Sequence, residues 1–384
     1  MRVAYVTPFD SRTLSAQNNW SGLGYYIAQT IKNQSISLDY IGPLEDRLSL
    51  KTISRFKSRY YKFFGKTYIK YIDPSILRDY AGQIFEKLHS TKSDIVFSAS
   101  SDSIAYLECN QPIAFWADAT FASMIDFYPA YSNLCEESLK TAHSLQSMSL
   151  EKCKLAIYAS DWAAQSAIEY YRADPAKVKV VPFGANVDGH RTLSGIKDLI
   201  EARPSNRCQL LFLGVDWYRK GGDVALKVAE RLNELGLNTE LIVVGCEPIV
   251  EGNLPNFVKP LGFISKSTIA GKERINQLIA ESHFLILPSK AECYGVVFCE
   301  ANSFGVPCIS RRVGGIPTII RDDLNGKLFD MNTDPTEYCH YIYNLFANYT
   351  QYKELALSAF NEYESRLNWQ VAGKKVKELL MSVL

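Results

Sequence analysis

Two glutamates eight positions apart, Glu292 and Glu300, stand in the run Pro288-Ser-Lys-Ala-Glu-Cys-Tyr-Gly-Val-Val-Phe-Cys-Glu300, directly after the apolar stretch Phe284–Leu287. A strand ending at Leu287 and a helix starting beyond Gly295 would put both carboxylates at the carboxyl end of a sheet. There, helix N-terminal N–H groups face ligands. Glu300, near the beginning of that helix, could accept hydrogen bonds from a pair of vicinal hydroxyls, with Glu292 on the loop before it. The same acids could instead be solvated surface carboxylates, with Gly295 only a turn residue. A second candidate is Gly22-Leu-Gly24 ahead of an expected helix over 25–31, a flexible loop and helix start of the kind that approaches phosphate closely. It lies about sixteen residues beyond the first strand, too far for the tight dinucleotide turn, which argues against a nicotinamide enzyme. Ser98-Ala-Ser-Ser-Asp102, after another strand, could line a ligand cleft, although serine-rich turns are common.

The elements that would position these groups alternate along the chain. Apolar runs at 3–6, 94–98, 113–116, 155–159 and 178–181 read as strands with amphipathic stretches between them. The pattern restarts with strands expected at 209–213, 241–244, 258–260, 284–287, 307–310 and 327–329, and with helices at 223–235, 272–281 and 299–304. This order predicts an α/β chain of two successive doubly wound, Rossmann-like units. The polar stretch 184–207, with Gly189, Gly195 and Pro204, predicts the connection. The expected division is a first domain over 1–187, a linker over 188–206 and a second domain over 207–366. A helical end over 367–384 is suited to docking on another surface.

At 384 residues the chain is too long for one ordinary core, and 47% hydrophobic with 22% charged residues is a globular composition. Forty-two Lys and Arg against 41 Asp and Glu leave a formal charge of +1, so no global field draws nucleic acid. Nine cysteines at 109, 135, 153, 208, 246, 293, 299, 308 and 339 form no C-x-x-C pair or zinc spacing, and read as reduced and mostly buried. With no signal-peptide pattern and no membrane-length apolar run, the expected location is cytoplasmic. One segment departs from neutrality. Residues 51–71 carry seven cations, no acid, and Phe56, Tyr60 and Phe63 at helical spacing. The expected arrangement packs this aromatic stripe on the sheet with the lysines solvated. The alternative is a peripheral contact with the headgroup layer of an anionic inner membrane face, or with a phosphate-bearing acceptor.

Taken together, Glu292-x7-Glu300, Gly305-Val-Pro307 and Val313-Gly-Gly-Ile-Pro317 resemble the signature of family-four glycosyltransferases of the GT-B fold. The resemblance extends over nearly the whole chain: Ser160, Val178-Lys-Val-Val-Pro-Phe-Gly184, Leu211-Phe-Leu-Gly214, Lys220-Gly-Gly222, Asn325-Gly-Lys-Leu-Phe329 and Trp369 each have a counterpart. It implies a glycogen synthase-like superfamily member with two Rossmann-like domains facing a central cleft. The final helix would cross back to the first domain. It further implies a retaining, metal-independent hexosyl- or related transferase, taking no cofactor, that moves a sugar from a UDP- or GDP-linked nucleotide-sugar to a glycan, lipid-linked or small-molecule acceptor hydroxyl. By resemblance Glu292 contacts the transferred sugar, the backbone of Cys293, Tyr294 and Gly295 shapes its pocket, and Val296 and Val297 offer N–H groups to the diphosphate. Glu300 holds the ribose, Lys220 matches the lysine on the diphosphate, and the Gly22 and Gly24 loop closes over the donor phosphates.

Two departures stand out. The family arginine after the strand glycine is absent, since Gly214 is followed by Val215, Asp216 and Trp217; Arg219 is the expected replacement. The family histidine after Ile113–Trp116 is also absent, and Asp118 is the only ionisable group there. Asp118 is therefore expected on the acceptor side, stabilising charge near the reaction centre, with capping of the following turn as its alternative. The five histidines match no motif and are expected to be structural or surface residues. Rival readings are a nucleotide-sugar epimerase or phosphorylase on the same fold, or a catalytically silent nucleotide- or glycan-binding partner.

Overall fold

Six short runs pair as a parallel sheet in the first half of the chain: β1 Arg2–Val6, β2 Ser37–Tyr40, β3 Ile95–Ser98, β4 Ile113–Ala117, β5 Leu155–Tyr158 and β6 Val178–Val180. Their order is β2-β1-β3-β4-β5-β6. Every residue of β3, β4 and β5 is buried, as a parallel sheet covered on both faces requires. A second parallel sheet follows, built from β7 Cys208–Leu213, β8 Thr239–Val244, β9 Val258–Pro260, β10 Phe284–Leu287, β11 Cys308–Arg311 and β12 Gly326–Phe329. Its order is β12-β11-β10-β7-β8-β9. The computed structural model describes residues 1–14 and 22–384.

The contacts divide the chain into Met1–Pro182 with Trp369–Leu384, and Phe183–Asn368. In the first unit the final helix, Trp369–Met381, packs on helix Leu23–Lys32, where Trp369 stacks on Tyr26 at 6.1 Å and meets the edge of Trp116 at 5.8 Å. Residues 188–206, expected as a linker, belong instead to the second unit. Helix Leu193–Ala202 is capped by Thr192, which accepts from Gly195 N at 3.2 Å, and buries Ile196 and Ile200 one turn apart. The buried Arg203 then donates to the carbonyls of Phe304 and Gly305 at 2.8 and 2.7 Å. Polar composition hid a helix whose inward face is only two isoleucines wide.

All nine cysteines are free, seven of them buried. His283 is fully buried, accepting from Gln209 N at Nδ1 (3.0 Å) and donating from Nε2 to Pro204 O (3.0 Å). Burial, helped by the Arg203 charge, pushes its pKa down to about 3, so the ring is neutral. The segment 51–71 reverses its expected arrangement. It forms helix Leu48–Phe63 with a short turn at Lys70–Ile72, and Phe56, Tyr60 and Phe63 face solvent instead of the sheet. Among the described residues no helix is long and apolar enough to cross a membrane.

Candidate functional site

In the second sheet the strand order reverses between β7 and β10, and in open α/β sheets ligands bind outside the carboxyl ends of strands at such a point. The loops leaving these two strands carry most of the candidate residues. After β7 the chain runs Gly214-Val-Asp-Trp-Tyr-Arg-Lys-Gly-Gly222. Trp217 folds back under Phe212, ring centres 5.3 Å apart, which anchors the loop on the sheet. Asp216 then holds the turn, its carbonyl accepting from Lys220 N at 3.1 Å and its carboxylate from Arg219 N at 2.9 Å. Gly221 adopts φ 78°, and a Cβ there would lie 2.2 Å from the carbonyl oxygen of Pro288. Only glycine allows the β7 loop to enter helix Gly222–Glu234 while touching the β10 loop.

The two loops are joined by backbone, since Lys290 N donates to Arg219 O at 2.7 Å. They are joined again by side chains. Lys220, whose stem lies across Gly214, pairs through Nζ with Oε2 of Glu292. Arg219 donates from Nη1 to Ala291 O at 3.0 Å and stands 3.7 Å from the same Glu292 oxygen. Two cations thus converge on one carboxylate, and both partners of the Lys220–Glu292 pair are largely removed from water. Such a pair offsets its own desolvation only in part, so an anionic ligand able to share the cations meets a site already dehydrated. The Glu292 carbonyl is fixed separately by Gly315 N at 3.2 Å, from the Val313–Pro317 turn.

Beyond Glu292 the side chains of Cys293 and Tyr294 turn inward, the Tyr294 hydroxyl donating to Phe183 O at 2.7 Å. Their backbone is what remains to shape a pocket. Gly295, at φ 96°, starts helix Val296–Asn302. Phe298 N closes on Gly295 O at 3.0 Å, so Val296 and Val297 supply the first two amides, the positions a helix start leaves to outside acceptors.

Glu300, fifth residue of that helix, is buried, and its Oε2 accepts from Lys266 Nζ at 2.5 Å. It lines a pocket with Asn186, Asp188, Lys266, Lys272 and Asn276, where Lys272 pairs with Asp188 at 2.7 Å. Sequence reasoning missed Lys266 and Lys272. Neither sits in a motif; only Thr268, which caps helix Ile269–Glu281, marks the loop that carries Lys266.

Gly22, Gly24 and Asp118 lie in the first unit, apart from this cluster in the chain's division. Gly22 caps helix Leu23–Lys32 at φ 84°, and Gly24 O accepts from the buried Tyr5 hydroxyl at 2.8 Å. Asp118 follows β4 directly. Thr120 caps the short helix Phe121–Met124 that follows, accepting from Ser123 N at 3.2 Å in a reciprocal box. Asp102, after β3, has its pKa raised to about 6 by desolvation.

Residues 197–362, all within the second unit, match the family described as Glycosyl transferases group 1. The chain is 28% identical over 223 residues to a D-inositol 3-phosphate glycosyltransferase of Thermobifida fusca, covering 55% of this chain and 51% of that protein. It is 32% identical over 188 residues to the like-named protein of Streptomyces scabiei, covering 44% and 41%. The matches thus span about half the length of these relatives or less. Among solved structures, the sucrose-phosphate synthase of Thermosynechococcus elongatus aligns over 100% of this chain and 98% of its own, with a TM-score of 0.67 at 15% identity. Anabaena HepE, solved with UDP and glucose, aligns over 99% of both chains with a TM-score of 0.61 at 15% identity. These likenesses give the fold, which is GT-B.

Proposed function

We propose that this chain, whose residues 197–362 match the group 1 glycosyltransferases, moves a sugar from a nucleoside diphosphate sugar to an acceptor hydroxyl with retention of configuration. The observation that carries the reading is the convergence of Arg219, Lys220 and Glu292 where the β7 and β10 loops meet. As the glycosidic bond breaks, negative charge grows on the bridging oxygen of the leaving diphosphate, and fixed cations stabilise it where water is excluded. Lys220 and Arg219 would supply them, with the Val296 and Val297 amides. Drawing Lys220 toward phosphate frees Glu292 to accept from hydroxyls of the transferred sugar. Glu300, whose carboxylate accepts from Lys266, would hold the ribose. The acceptor hydroxyl attacks on the face that the diphosphate leaves, and a leaving phosphate oxygen takes its proton. Asp118, just after β4 in the first unit, would stabilise charge from the acceptor side, and the helix start at Gly22 and Gly24 would approach the donor phosphates. HepE, solved with UDP and glucose, makes a uridine donor the first candidate. GDP-linked sugars come next, with a glycan, lipid-linked or small-molecule acceptor.

A thermal-shift screen with UDP, GDP, ADP, TDP and their sugars tests this, because a ligand at a hundredfold its Kd adds about 2.7 kcal/mol of stability. One nucleotide class should raise the melting temperature of the wild type and fail to do so for Lys220→Ala. No response to any nucleotide, or an equal response in the variant, refutes the reading. Turnover should be indifferent to EDTA; a loss restored by magnesium or manganese would mean that the cations alone do not carry the diphosphate.

A further inference from the structure

Helix Leu48–Phe63 is built inside out. Its protein-facing side is polar: Ser54 donates to Lys70 O at 3.1 Å, Lys57 pairs with Glu137 at 2.8 Å and Asp73 at 3.2 Å, and the Tyr61 hydroxyl donates to Glu137 at 2.9 Å. Its solvent-facing side is apolar. Ile53, Phe56, Tyr60, Phe63 and Phe64 recur at helical spacing on the exposed side, with Phe56 68% and Phe63 84% accessible. Tyr60, Phe63 and Phe64 lie beside one another, Tyr60 and Phe64 at 5.1 Å and Phe63 and Phe64 at 5.3 Å, and exposed Phe56 stands about one helical turn before Tyr60, so the residues form one patch along the helix. A surface helix of a water-soluble domain ordinarily turns its apolar stripe to the core. An exposed contiguous apolar patch instead marks an interaction surface.

The charges around the patch select its partner. Arg55, Arg59, Lys62 and Lys66 are exposed beside the aromatic rings, and among the described residues Arg55, Arg59 and Lys62 have no acid within 4 Å. The nearby acids are engaged elsewhere: Asp73 and Glu137 pair inward with Lys57, and Asp46 with Lys51 at 2.8 Å. The chain as a whole is almost neutral, at +1, so this positive field is local. A free phosphate would use the cations and leave the rings in water. An anionic bilayer uses both, taking rings into the acyl boundary while the arginines and lysines stay among headgroups.

We infer that helix Leu48–Phe63 docks the protein on an anionic lipid surface, lying in the plane of the interface with Phe56, Tyr60 and Phe63 inserted. Co-sedimentation of the full chain with phosphatidylcholine vesicles, with and without phosphatidylglycerol, tests this. The wild type should pellet only with the anionic vesicles. Raising the ionic strength from about 0.1 to about 1 M shortens the screening length from about 10 to about 3 Å and should weaken the binding. Arg55→Glu with Arg59→Glu and Lys62→Glu should lower the partition constant by about a hundredfold or more, from three cations lost at the surface. Phe56→Ser with Phe63→Ser should lower it by at least about tenfold, through lost apolar burial. Both variants alter exposed side chains and should keep the wild-type melting temperature and nucleotide response. A wild type that stays in the supernatant, binds neutral vesicles equally well, or binds no better than either variant overturns the inference. So does a wild type that is dimeric without lipid and becomes monomeric in the Phe56→Ser, Phe63→Ser variant, because the patch is then an interface between copies.

Discussion

If Glu300 holds the ribose, the pair it makes with Lys266 predicts two opposite phenotypes. The Glu300 side chain is 3% exposed and the Lys266 side chain 40%. Glu300→Gln keeps the volume and one acceptor oxygen but loses the charge, and a hydrogen bond to a charged group is worth about 1.5–3 kcal/mol against about 1 for a neutral one. With two vicinal hydroxyls donating, the expected loss in nucleotide binding is about 1–3 kcal/mol, or roughly 5- to 150-fold in Kd. Stability should change little, because the lysine left behind is half in water and behaves as a surface cation, worth about 0–1 kcal/mol. Lys266→Ala does the reverse. It leaves a buried carboxylate without its cation, which should cost about 1–3 kcal/mol of stability, while the freed carboxylate binds ribose no less well. Calorimetry with UDP and urea unfolding on the two variants measure both quantities. A Glu300→Gln protein that binds UDP like the wild type removes Glu300 from the site, and equal stability losses in the two variants would contradict the burial asymmetry.

Four further outcomes are expected. Lys220→Ala should lower turnover by about two to three orders of magnitude, as for other lost transition-state donors. Gly214→Ala, whose new Cβ would stand 2.9 Å from Lys220 Cγ, should lower turnover by about ten- to a hundredfold by displacing the lysine. Full activity in Gly214→Ala would show that the placement of Lys220 is not critical. Asp118→Asn should reduce turnover while leaving nucleotide affinity unchanged; near-wild-type turnover makes Asp118 structural. His283 has a folded pKa of about 3, below its unfolded value, so the folded state resists protonation. The stability this contributes is complete above about pH 6.5 and is lost at about 1.4 kcal/mol per pH unit as pH falls toward 3. Unfolding curves at pH 7, 6 and 5 should therefore be steeper in pH for the wild type than for His283→Asn, and identical slopes would refute the assignment.

What was legible in the sequence was what is local. The Glu292–Glu300 spacing, the Lys220-Gly-Gly turn and the strand Phe284–Leu287 are contiguous patterns whose physical cause lies within a few residues. The loops after β7 and β10 meet because the strand order reverses between them, and the alternation of elements already implied such a sheet. What was not legible joins distant positions. Lys266 reaches Glu300 across 34 residues and Arg203 reaches Gly305 across 102, and nothing in the local pattern of either residue announces its partner. β2 escaped because an edge strand, half exposed and carrying Ser37 and Asp39, lacks the apolar run that identifies the central strands.

The helix Leu48–Phe63 shows a different limit. Its periodicity was visible and its helical state followed, but periodicity gives two faces without saying which one meets the protein. Ordinarily the apolar face is assigned inward because burial stabilises it. Here the inward face carries Ser54, Lys57 and Tyr61, each with a polar partner waiting on Lys70, Asp73 and Glu137. Those partners lie 16, 16 and 76 residues along the chain from the side chains they meet, so the sequence window that shows the stripe cannot show them. Lys57 also pairs with Asp73, whose side chain is 2% exposed, so orienting the helix the ordinary way would leave a buried acid without its lysine. The polar seam therefore fixes the orientation, and among the described residues the aromatic stripe is left on the solvent side, where an anionic lipid surface would cover it.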